Sequence, residues 1–240
     1  MKLNAQKMHF RILNQMVREC SDPEIVIDCC IGQRYIGSGM GQRRVTVNGT
    51  PGNALGAYLN GGVLVVNGNT QDATGDTMND GSIIIHGSSG DATGYAMRGG
   101  EIMIHGDVGY RAGIHMKEYQ NKRPIMIIGG TAGSFLGEYQ AGGTIVVLGL
   151  HSSGSAPVNN FCGMGMHGGK IYLRTDVLPS DLSERLIIRK ADDKDIKEIL
   201  PALKRFCDEF RESLEEIREH SFYVIAPNSS NPYRQLYAAE

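Results

Sequence analysis

The sequence predicts an all-β fold, a right-handed parallel β-helix with coils of about nineteen residues and short α-helical N- and C-terminal segments. Three observations predict it. A glycine returns every nineteen residues, as at Gly49, Gly68 and Gly87, and a short β-branched run precedes each one. Further glycines follow at fixed distances within each repeat. Nineteen residues is also too short for a strand with a crossover helix, so short stacked strands fit the period best.

Glycines mark the corners of the predicted coils. Glycine accepts a positive φ at little steric cost, whereas the straight stretches of the repeat select valine and isoleucine. We therefore predict structural glycines, with no catalytic role, at fifteen positions of the repeat. They are Gly49, Gly56, Gly62, Gly68, Gly75, Gly81, Gly87, Gly94, Gly100, Gly106, Gly113, Gly130, Gly137, Gly143 and Gly149.

The predicted strands are apolar on both faces. Residues four and two before the first glycine of a repeat, such as Val45 and Val47, form the inner face, and the residue between them is also apolar in Val65, Ile84 and later repeats. Strands that are apolar on both faces are normally covered on both faces. We therefore expect a terminal helix or another subunit to pack on the outer face.

Segments before and after the repeats have helical periodicity. Leu13, Met16 and Val17 follow helical spacing, and Asp192 is a candidate N-cap ahead of a helix expected to begin near Pro201. We expect three parts: an N-terminal helical cap over 1–23, the glycine-repeat β-helix over 24–175, and a C-terminal helical segment with a tail over 176–240.

Composition excludes some functions. The chain has 240 residues and a formal net charge of −2, with no basic run that would recruit nucleic acid or an anionic membrane. Because no apolar stretch is long enough to span a bilayer, we expect a cytoplasmic protein. Five cysteines, without the paired spacing of zinc or iron–sulfur sites, predict buried reduced thiols.

Two histidines form a candidate site within the repeat. His86 and His105 occupy the same position in successive repeats, where Asn48 and Asn67 stand in earlier ones. A shared metal ion is one interpretation, but the sequence offers no further ligands. A polar ladder at the strand ends is the interpretation we favour, and no metal site is predicted.

A longer repeat contains a candidate loop. Five extra residues precede Pro124, and insertions in repeat proteins form protruding loops. His115, Lys117, Glu118 and Tyr119 offer acid–base groups there, although a mixed polar loop is also typical of a docking contact. We predict a docking loop.

Two further candidates have structural explanations. The glycine-rich segment at 161–170 resembles a phosphate cradle, but no helix start or lysine pattern accompanies it, and a tight turn is expected. Asp72 and Asp91 lie at equal offsets in their repeats, as stacked turn residues would. The sequence therefore predicts no catalytic, cofactor-binding or metal-binding residue.

Several stretches of the chain resemble one family, the GXGXG domain at the C-terminal end of the glutamate synthase large (alpha) subunit. The resemblance covers about residues 24 to 174, and the tail ending NPYRQLY is similar to the closing segment of that domain. The stretches that carry it are IGQRYIGSGMG, GTPGNALGAYLNGG, GDATGYAMRGGEIMIHGDVGYRAGIHMKEY, FLGEYQAGGTIVVLGL and GMGMHGGKIYLR.

The resemblance implies a structural and organising role without activity of the chain alone. It implies a stand-alone chain of a split, archaeal-type glutamate synthase, with the amidotransferase and the FMN-synthase chains as partners. FMN and the iron–sulfur cluster are expected on those partners, and no cofactor is expected in this chain. Residue two is Lys2, not the cysteine nucleophile of a glutaminase. A homo-oligomer is also compatible with the sequence.

Two alternatives remain open from the sequence. The repeat also resembles the GXGXG β-helix component of formylmethanofuran dehydrogenase, which would make the chain a partner of molybdenum or tungsten subunits. An independent β-helix enzyme or binding module that acts on carbohydrate is the second alternative.

Overall fold

The computed structural model describes residues 1–150, 152 and 154–228. In that part of the chain, one sheet contains eleven strands. Nine strands lie parallel and in chain order: β1 (Lys2–Asn4), β2 (Glu24–Ile31), β3 (Arg44–Thr50), β4 (Asn60–Asn67), β5 (Asp80–Ile85), β6 (Glu101–Ile104), β7 (Ile125–Ile128), β8 (Ala141–Val147) and β9 (Gly168–Arg174).

The remaining elements close one end of the sheet. Strand β10 (Leu186–Lys190) precedes helices α2 (Asp193–Phe210) and α3 (Leu214–Glu219), and β11 (Phe222–Pro227) follows them. Strand β11 pairs antiparallel with β9 on one side and with β10 on the other. Helix α1 (Phe10–Glu19) lies between β1 and β2 in the chain.

The predicted ladders of the repeat are confirmed by the strand register. Val45 pairs with Leu64, Leu64 with Ile83, and the ladder continues through Ile102, Met126 and Ile145 to Ile171. Each of these side chains is fully buried. The β-branched runs therefore form strands, and the fixed period places equivalent residues side by side.

The prediction of a closed right-handed β-helix is wrong. The described residues form a single mixed, mostly parallel sheet, to which each repeat contributes one strand. The rest of each repeat consists of turns joined by single-residue bridges, such as Thr70 to Ser89 and Ser89 to Val108. Alternating residues of these return segments have a positive φ, so the chain turns repeatedly and cannot extend into further strands.

The prediction of helical terminal segments is also wrong. The chain begins with strand β1, which pairs with β2, and the last described element is strand β11. Both helical regions therefore lie between these two strands in the chain. The strand at each end adds backbone hydrogen bonds to the sheet.

Helices α2 and α3 cover the outer face of the sheet, as the apolar outer ladder requires. Val65, Ile84 and Met103 lie in a buried cluster with Leu203 and Phe206 of α2. The turn-rich return segments cover the inner face, where a second cluster contains the ladder described above. Helix α1 closes the first-repeat end of that inner core through Leu13 and Val17. Both faces of the strand-rich region are thus covered by the chain itself.

Helix α2 begins earlier than its sequence suggests. Asp192 is the N-cap, as predicted, and forms a capping box with Asp195, but Pro201 lies inside the helix instead of near its start. Burial of Leu203 and Phe206 against the sheet favours a continuous helix despite the proline. The three-part division at residues 23/24 and 175/176 stays a prediction, and the NPYRQLY segment lies outside the described residues.

Candidate functional site

The return segment of each repeat contains three residues with a positive φ, spaced two apart. Seven such groups, which we call αL triplets, occur in the described residues, with φ between +49° and +72°. The triplets are Tyr35/Gly37/Gly39, Ala54/Gly56/Tyr58, Ala73/Gly75/Thr77, Ala92/Gly94/Ala96, Arg111/Gly113/His115, Phe135/Gly137/Tyr139 and Phe161/Gly163/Gly165.

The central residue of every αL triplet is glycine because it faces the core. A Cβ added at Gly56 would lie 2.7 Å from Ile83 Cδ1 and 2.9 Å from Leu64 Cδ1. Ile83 and Leu64 are both fully buried members of the inner ladder. The centre therefore excludes a side chain on two grounds, the backbone conformation and the space available.

A different restriction acts on glycines that follow the strands. Gly87 and Gly106 are not in the left-handed region, but an added Cβ would collide with the side-chain oxygens of Asn69 and Ser88. Asn69 Oδ1 accepts a hydrogen bond from Ser88 N at 2.8 Å, and Ser88 Oγ accepts one from Asp107 N at 3.0 Å. Each oxygen thus binds backbone of the next repeat. Close approach of one repeat to the next, not a turn, fixes these positions.

The first and third residues of the αL triplets carry aromatic or charged side chains in the later repeats. Together with Tyr95 and Tyr110, which stand next to triplet residues but are not in the left-handed region, they form a surface that we call the aromatic corner. It consists of Tyr95, Tyr110, Arg111, His115, Phe135, Tyr139 and Phe161.

The rings of the aromatic corner form two rows along the stacked repeats. In one row, His115 lies parallel to Tyr139 with centroids 5.3 Å apart and meets Tyr95 edge-on at 5.9 Å. In the other row, Phe135 lies 5.3 Å from Tyr110 and 4.8 Å from Phe161. These separations are typical of favourable aromatic pairs.

An ion pair joins the two rows. Arg111 Nε lies 2.8 Å from Glu138 Oε2, and the Glu138 side chain is 7% exposed. The approach is electrostatic, because neither atom completes an aligned hydrogen bond within the described residues. The Arg111 guanidinium also lies 4.9 Å from the centre of the Tyr110 ring and 5.5 Å from that of Phe135. A buried carboxylate and two rings therefore fix the position of this cation.

The predicted docking loop is divided by the structure. His115 lies in an αL triplet and belongs to the aromatic corner, whereas Glu118 and Tyr119 lie in the inserted segment. Glu118 Oε1 accepts a hydrogen bond from Gly143 N at 3.3 Å, and Tyr119 pairs with Lys122 in a single bridge. The Lys117 backbone N–H donates to Met97 O at 3.0 Å. The docking role of these four residues stays a prediction.

The inserted segment folds back on an earlier repeat. Lys122 Nζ donates to Asp80 Oδ2 at 2.8 Å and to Asn79 O at 3.3 Å. The hydrogen bond from Lys122 lowers the pKa of the Asp80 carboxyl below its ordinary value. The segment is therefore fixed to the surface of the stack at this point.

The polar ladder at the strand ends connects with helix α2. Asn48 donates to Asp28 at 2.6 Å, and Asn67 donates to Asn48 at 2.7 Å. In the later repeats, His105 Nε2 lies 2.8 Å from Glu212 Oε1, and its ring stacks on Phe210 with centroids 4.9 Å apart.

His86 contacts the same end of the helix, with Nε2 3.3 Å from Glu209 Oε1. Each histidine thus has its own carboxylate partner. In the described part of the chain, no group of three or more histidine, cysteine, aspartate or glutamate side chains is arranged to hold a metal ion.

The candidate carboxylates form a structural ladder between repeats. Asp72 Oδ1 accepts a hydrogen bond from Asp91 N at 2.9 Å, and Asp91 Oδ1 accepts one from Tyr110 N at 2.8 Å. Their lone pairs satisfy turn backbone, as Asx side chains commonly do. The arrangement does not pair two free carboxyl groups across a cleft.

The glycine-rich segment at 161–170 continues the repeat. Phe161, Gly163 and Gly165 form the last αL triplet, and Gly168 and Gly169 begin β9. Gly165 lies under the Tyr139 ring, since an added Cβ would be 2.6 Å from Tyr139 Cε1. Backbone geometry of a turn accounts for these glycines.

The cysteines divide by exposure. Cys30, Cys162 and Cys207 are buried, Cys20 is half-buried and Cys29 is exposed. Burial raises the pKa of the Cys30 thiol to about 11, and that of Cys162 to about 12. These two thiols are therefore protonated near neutral pH and are poor nucleophiles or metal ligands. The prediction of buried thiols is wrong for Cys29.

Grooves of the described residues offer little convergent chemistry. The one between α1 and the first repeat has a volume of about 320 Å³ and includes Asn14 and Arg43 in its lining. Asn14 donates to Arg34 O at 2.8 Å, and Arg43 donates to Val17 O at 2.7 Å. Both polar side chains therefore hold α1 in place. No helix of the described residues is long and apolar enough to cross a membrane.

Sequence reasoning missed the αL triplets and the aromatic corner. Tyr58, His115 and Tyr139 all stand two residues after the second glycine of their repeats, which is a signal in the sequence. Their backbone conformation was not predicted because tyrosine and histidine are uncommon at positive φ. Equal offsets from the glycine nevertheless place them at equivalent positions of their repeats.

Comparison with known proteins agrees with the geometry of the repeats. The model of the GXGXG motif family matches residues 12–224. An uncharacterized protein of Methanocaldococcus jannaschii is 39% identical over 251 aligned residues, which cover 99% of this chain and 96% of that protein. The three positive-φ residues of each αL triplet are two positions apart, which is also the spacing of the glycines in the name GXGXG. The chain belongs to the GXGXG motif family, the family of the C-terminal domain of the glutamate synthase large subunit.

Proposed function

We propose that this chain is a non-catalytic organising component of a cytoplasmic glutamate synthase. In this proposal it positions a glutaminase and an FMN- and iron–sulfur-containing synthase, which form glutamate from glutamine and 2-oxoglutarate. The observation that carries the proposal is the family match, which spans strands β2 to β10, the αL triplets and both helices on the outer face.

The structure supports a positioning role in physical terms. Consecutive repeats are joined by parallel strand pairing on one side and by backbone hydrogen bonds between return segments on the other, such as Gly75 N to Leu55 O at 2.8 Å. A stack bonded along its whole length deforms little, and a rigid support holds attached modules at fixed separations. Ammonia released by glutamine hydrolysis then has a fixed distance to travel to the synthase.

A reconstitution experiment tests the proposal. The amidotransferase chain, the synthase chain and this chain are purified separately, and glutamine hydrolysis and glutamate formation are measured with and without this chain. We expect the ratio of glutamate formed to glutamine hydrolysed to rise when the chain is added, because positioning raises the effective concentration of ammonia at the synthase. This chain alone is expected to catalyse neither reaction.

Two controls separate positioning from activation. Synthesis from added ammonium measures the synthase without channelling and is expected to respond less to this chain than glutamine-dependent synthesis. FMN and iron are measured on each chain, with the expectation that they remain on the synthase. An unchanged ratio of products, or a failure of this chain to bind either partner, would contradict the proposal.

A further inference from the structure

Four exposed aromatic side chains lie together in one region of the stack, while Tyr35, Tyr58 and Tyr119 are exposed elsewhere. Both faces of the strand-rich region are covered by the chain itself, yet Tyr95, Tyr110, Tyr139 and Phe161 are each 39–47% exposed. All four belong to the aromatic corner. A contiguous exposed apolar patch with arginine at its centre is typical of a surface that binds another protein.

Backbone conformation makes this surface costly. Arg111, His115, Phe135, Tyr139 and Phe161 have φ between +53° and +63°. Side chains in the left-handed region cost about 1–2 kcal/mol per residue. The equivalent positions of earlier repeats hold Tyr35 and Tyr58 but otherwise smaller residues: Gly39, Ala54, Ala73, Thr77, Ala92 and Ala96.

The exposed rings gain little from the core of their own chain in return for this strain. Strained residues of this kind cluster at functional positions. Stacking of the rings in two rows also restricts their side-chain rotations before any partner binds, which reduces the entropy lost on binding.

The cation at the centre of the aromatic corner has donors to spare. Arg111 uses Nε for Glu138, and its side chain is 44% exposed. Within the described residues, its two terminal nitrogen atoms, Nη1 and Nη2, donate no hydrogen bond. Guanidinium groups bind carboxylates in a planar, two-point manner through such nitrogens.

The acidic groups beside the patch are already engaged. Glu138 is buried against Arg111, Asp91 Oδ1 accepts from Tyr110 N at 2.8 Å, and Asp181 Oδ2 accepts from Phe161 N at 2.7 Å. The group that complements the exposed end of Arg111 is therefore a carboxylate from outside the described residues. The rings on either side of Arg111 complement apolar side chains next to that carboxylate.

We propose that the aromatic corner is the docking surface for a partner protein that presents an aspartate or glutamate between apolar side chains, with Arg111 binding the carboxylate. This inference rests on the proposed function, which supplies the amidotransferase and synthase chains as candidate partners. A nucleic acid does not fit, because the chain has a net charge of −2 and Arg111 is an isolated cation between rings.

Binding measurements on the full-length chain test the inference. Titration calorimetry is performed with the purified synthase chain and, separately, with the purified amidotransferase chain. The variants are Arg111→Gln, Phe135→Ala and Phe161→Ala. The matched control is Tyr58→Ala, because Tyr58 has a φ of +58° and is 56% exposed but lies in an early repeat outside the aromatic corner.

We expect the wild-type chain to bind one of the two partners and each corner variant to raise the Kd at least about tenfold, as loss of a central anchor does. Tyr58→Ala is expected to change the Kd less than about twofold, since peripheral contacts contribute little. Arg111→Lys is expected to restore only part of the lost affinity, because lysine lacks the planar pair of donors. Urea unfolding of each variant identifies any that is not folded, and the two phenylalanine variants provide independent tests.

The outcomes separate the inference from the proposed function. If the wild-type chain binds a partner and all folded corner variants bind it equally well, the docking surface is elsewhere and the inference is wrong, while the proposed function stands. If the wild-type chain binds neither partner, the proposed function fails, and the inference that rests on it fails too. Loss of self-association in the corner variants, measured by sedimentation, would identify a second copy as the occupant and would also overturn the inference.

Discussion

Substitution of the central glycine of an αL triplet is expected to destabilise the chain by two separable effects. In Gly56→Ala, the backbone keeps a φ near +64°, a conformation that costs alanine about 1–2 kcal/mol. The same methyl group approaches Ile83 Cδ1 to 2.7 Å and Leu64 Cδ1 to 2.9 Å unless these fully buried side chains move. Overpacking of a core typically costs about 1–3 kcal/mol. The expected loss of unfolding free energy is therefore about 2–5 kcal/mol.

A control in the same triplet isolates the conformational effect. Ala54 has a φ of +61° and already carries a methyl group without such a clash. Ala54→Gly relieves the strain but increases the entropy of the unfolded chain by about 0.5–1 kcal/mol. We expect its stability to remain within about 1 kcal/mol of the wild type, because these changes oppose one another.

The measurement is urea unfolding at equilibrium, with the midpoint and slope compared among variants. The double variant Gly56→Ala/Ile83→Val removes the methyl group that is nearest to the new Cβ. We expect Gly56→Ala to cost about 1–2 kcal/mol less in the Ile83→Val background, since part of the overpacking is relieved. Equal stability of Gly56→Ala and the wild type would refute the reasoning, and so would a loss in Ala54→Gly as large as that in Gly56→Ala.

Three further predictions concern the helices on the outer face, each measured by urea unfolding. Phe206→Ala is expected to lower the unfolding free energy by about 3–5 kcal/mol, because the ring is fully buried, whereas Lys204→Ala on the exposed side should change it by less than about 0.5 kcal/mol. Hydrogen bonding from an arginine lowers the pKa of Asp195 from 3.8 to about 2, so its stabilising contribution is present above pH 3.8 and is lost as the pH falls towards 2. Asp195→Asn should therefore reduce stability at pH 7 and weaken the acid dependence below pH 4, while Asp193→Asn should leave that dependence intact; equal profiles would contradict the pairing. His105→Ala should cost less than about 1.5 kcal/mol and leave the fold intact, since a partly exposed contact with Glu212 and the stacking on Phe210 are lost, and a larger loss would show that the histidine has a greater role.

The strands of this fold were predictable, and the segments between them were not. The fixed period correctly placed Val45 beside Leu64. Because the strands are apolar on both faces, the sequence also required a cover for Val65 and Ile84 on the outer face. Local periodicity contains no information on which segment provides the cover. Helix α2 could be assigned to it only from tertiary packing, which also extends the helix through Pro201.

The return segments were misinterpreted because conformation there is set by tertiary structure. A positive φ is expected for glycine, asparagine or aspartate, and the sequence offers tyrosine, phenylalanine and arginine at many of the positions concerned. Glycine spacing located the centre of each turn but not its flanking αL residues. The result is a turn-rich layer instead of the additional strands that a closed β-helix needs.

The αL triplet separates the requirements of the fold from those of recognition. Its central residue faces the core, and only glycine fits there, so every repeat retains the same backbone path. Its flanking residues have the same backbone conformation and, except for the buried Ala54 and Thr77, are at least partly exposed; they range from glycine to tyrosine along the stack. Because both faces of the sheet are covered by the chain itself, the flanking positions are where the surface can change without altering the strand register. A partner that recognises this chain through such positions would therefore distinguish it from relatives that share the fold but differ in the corner side chains.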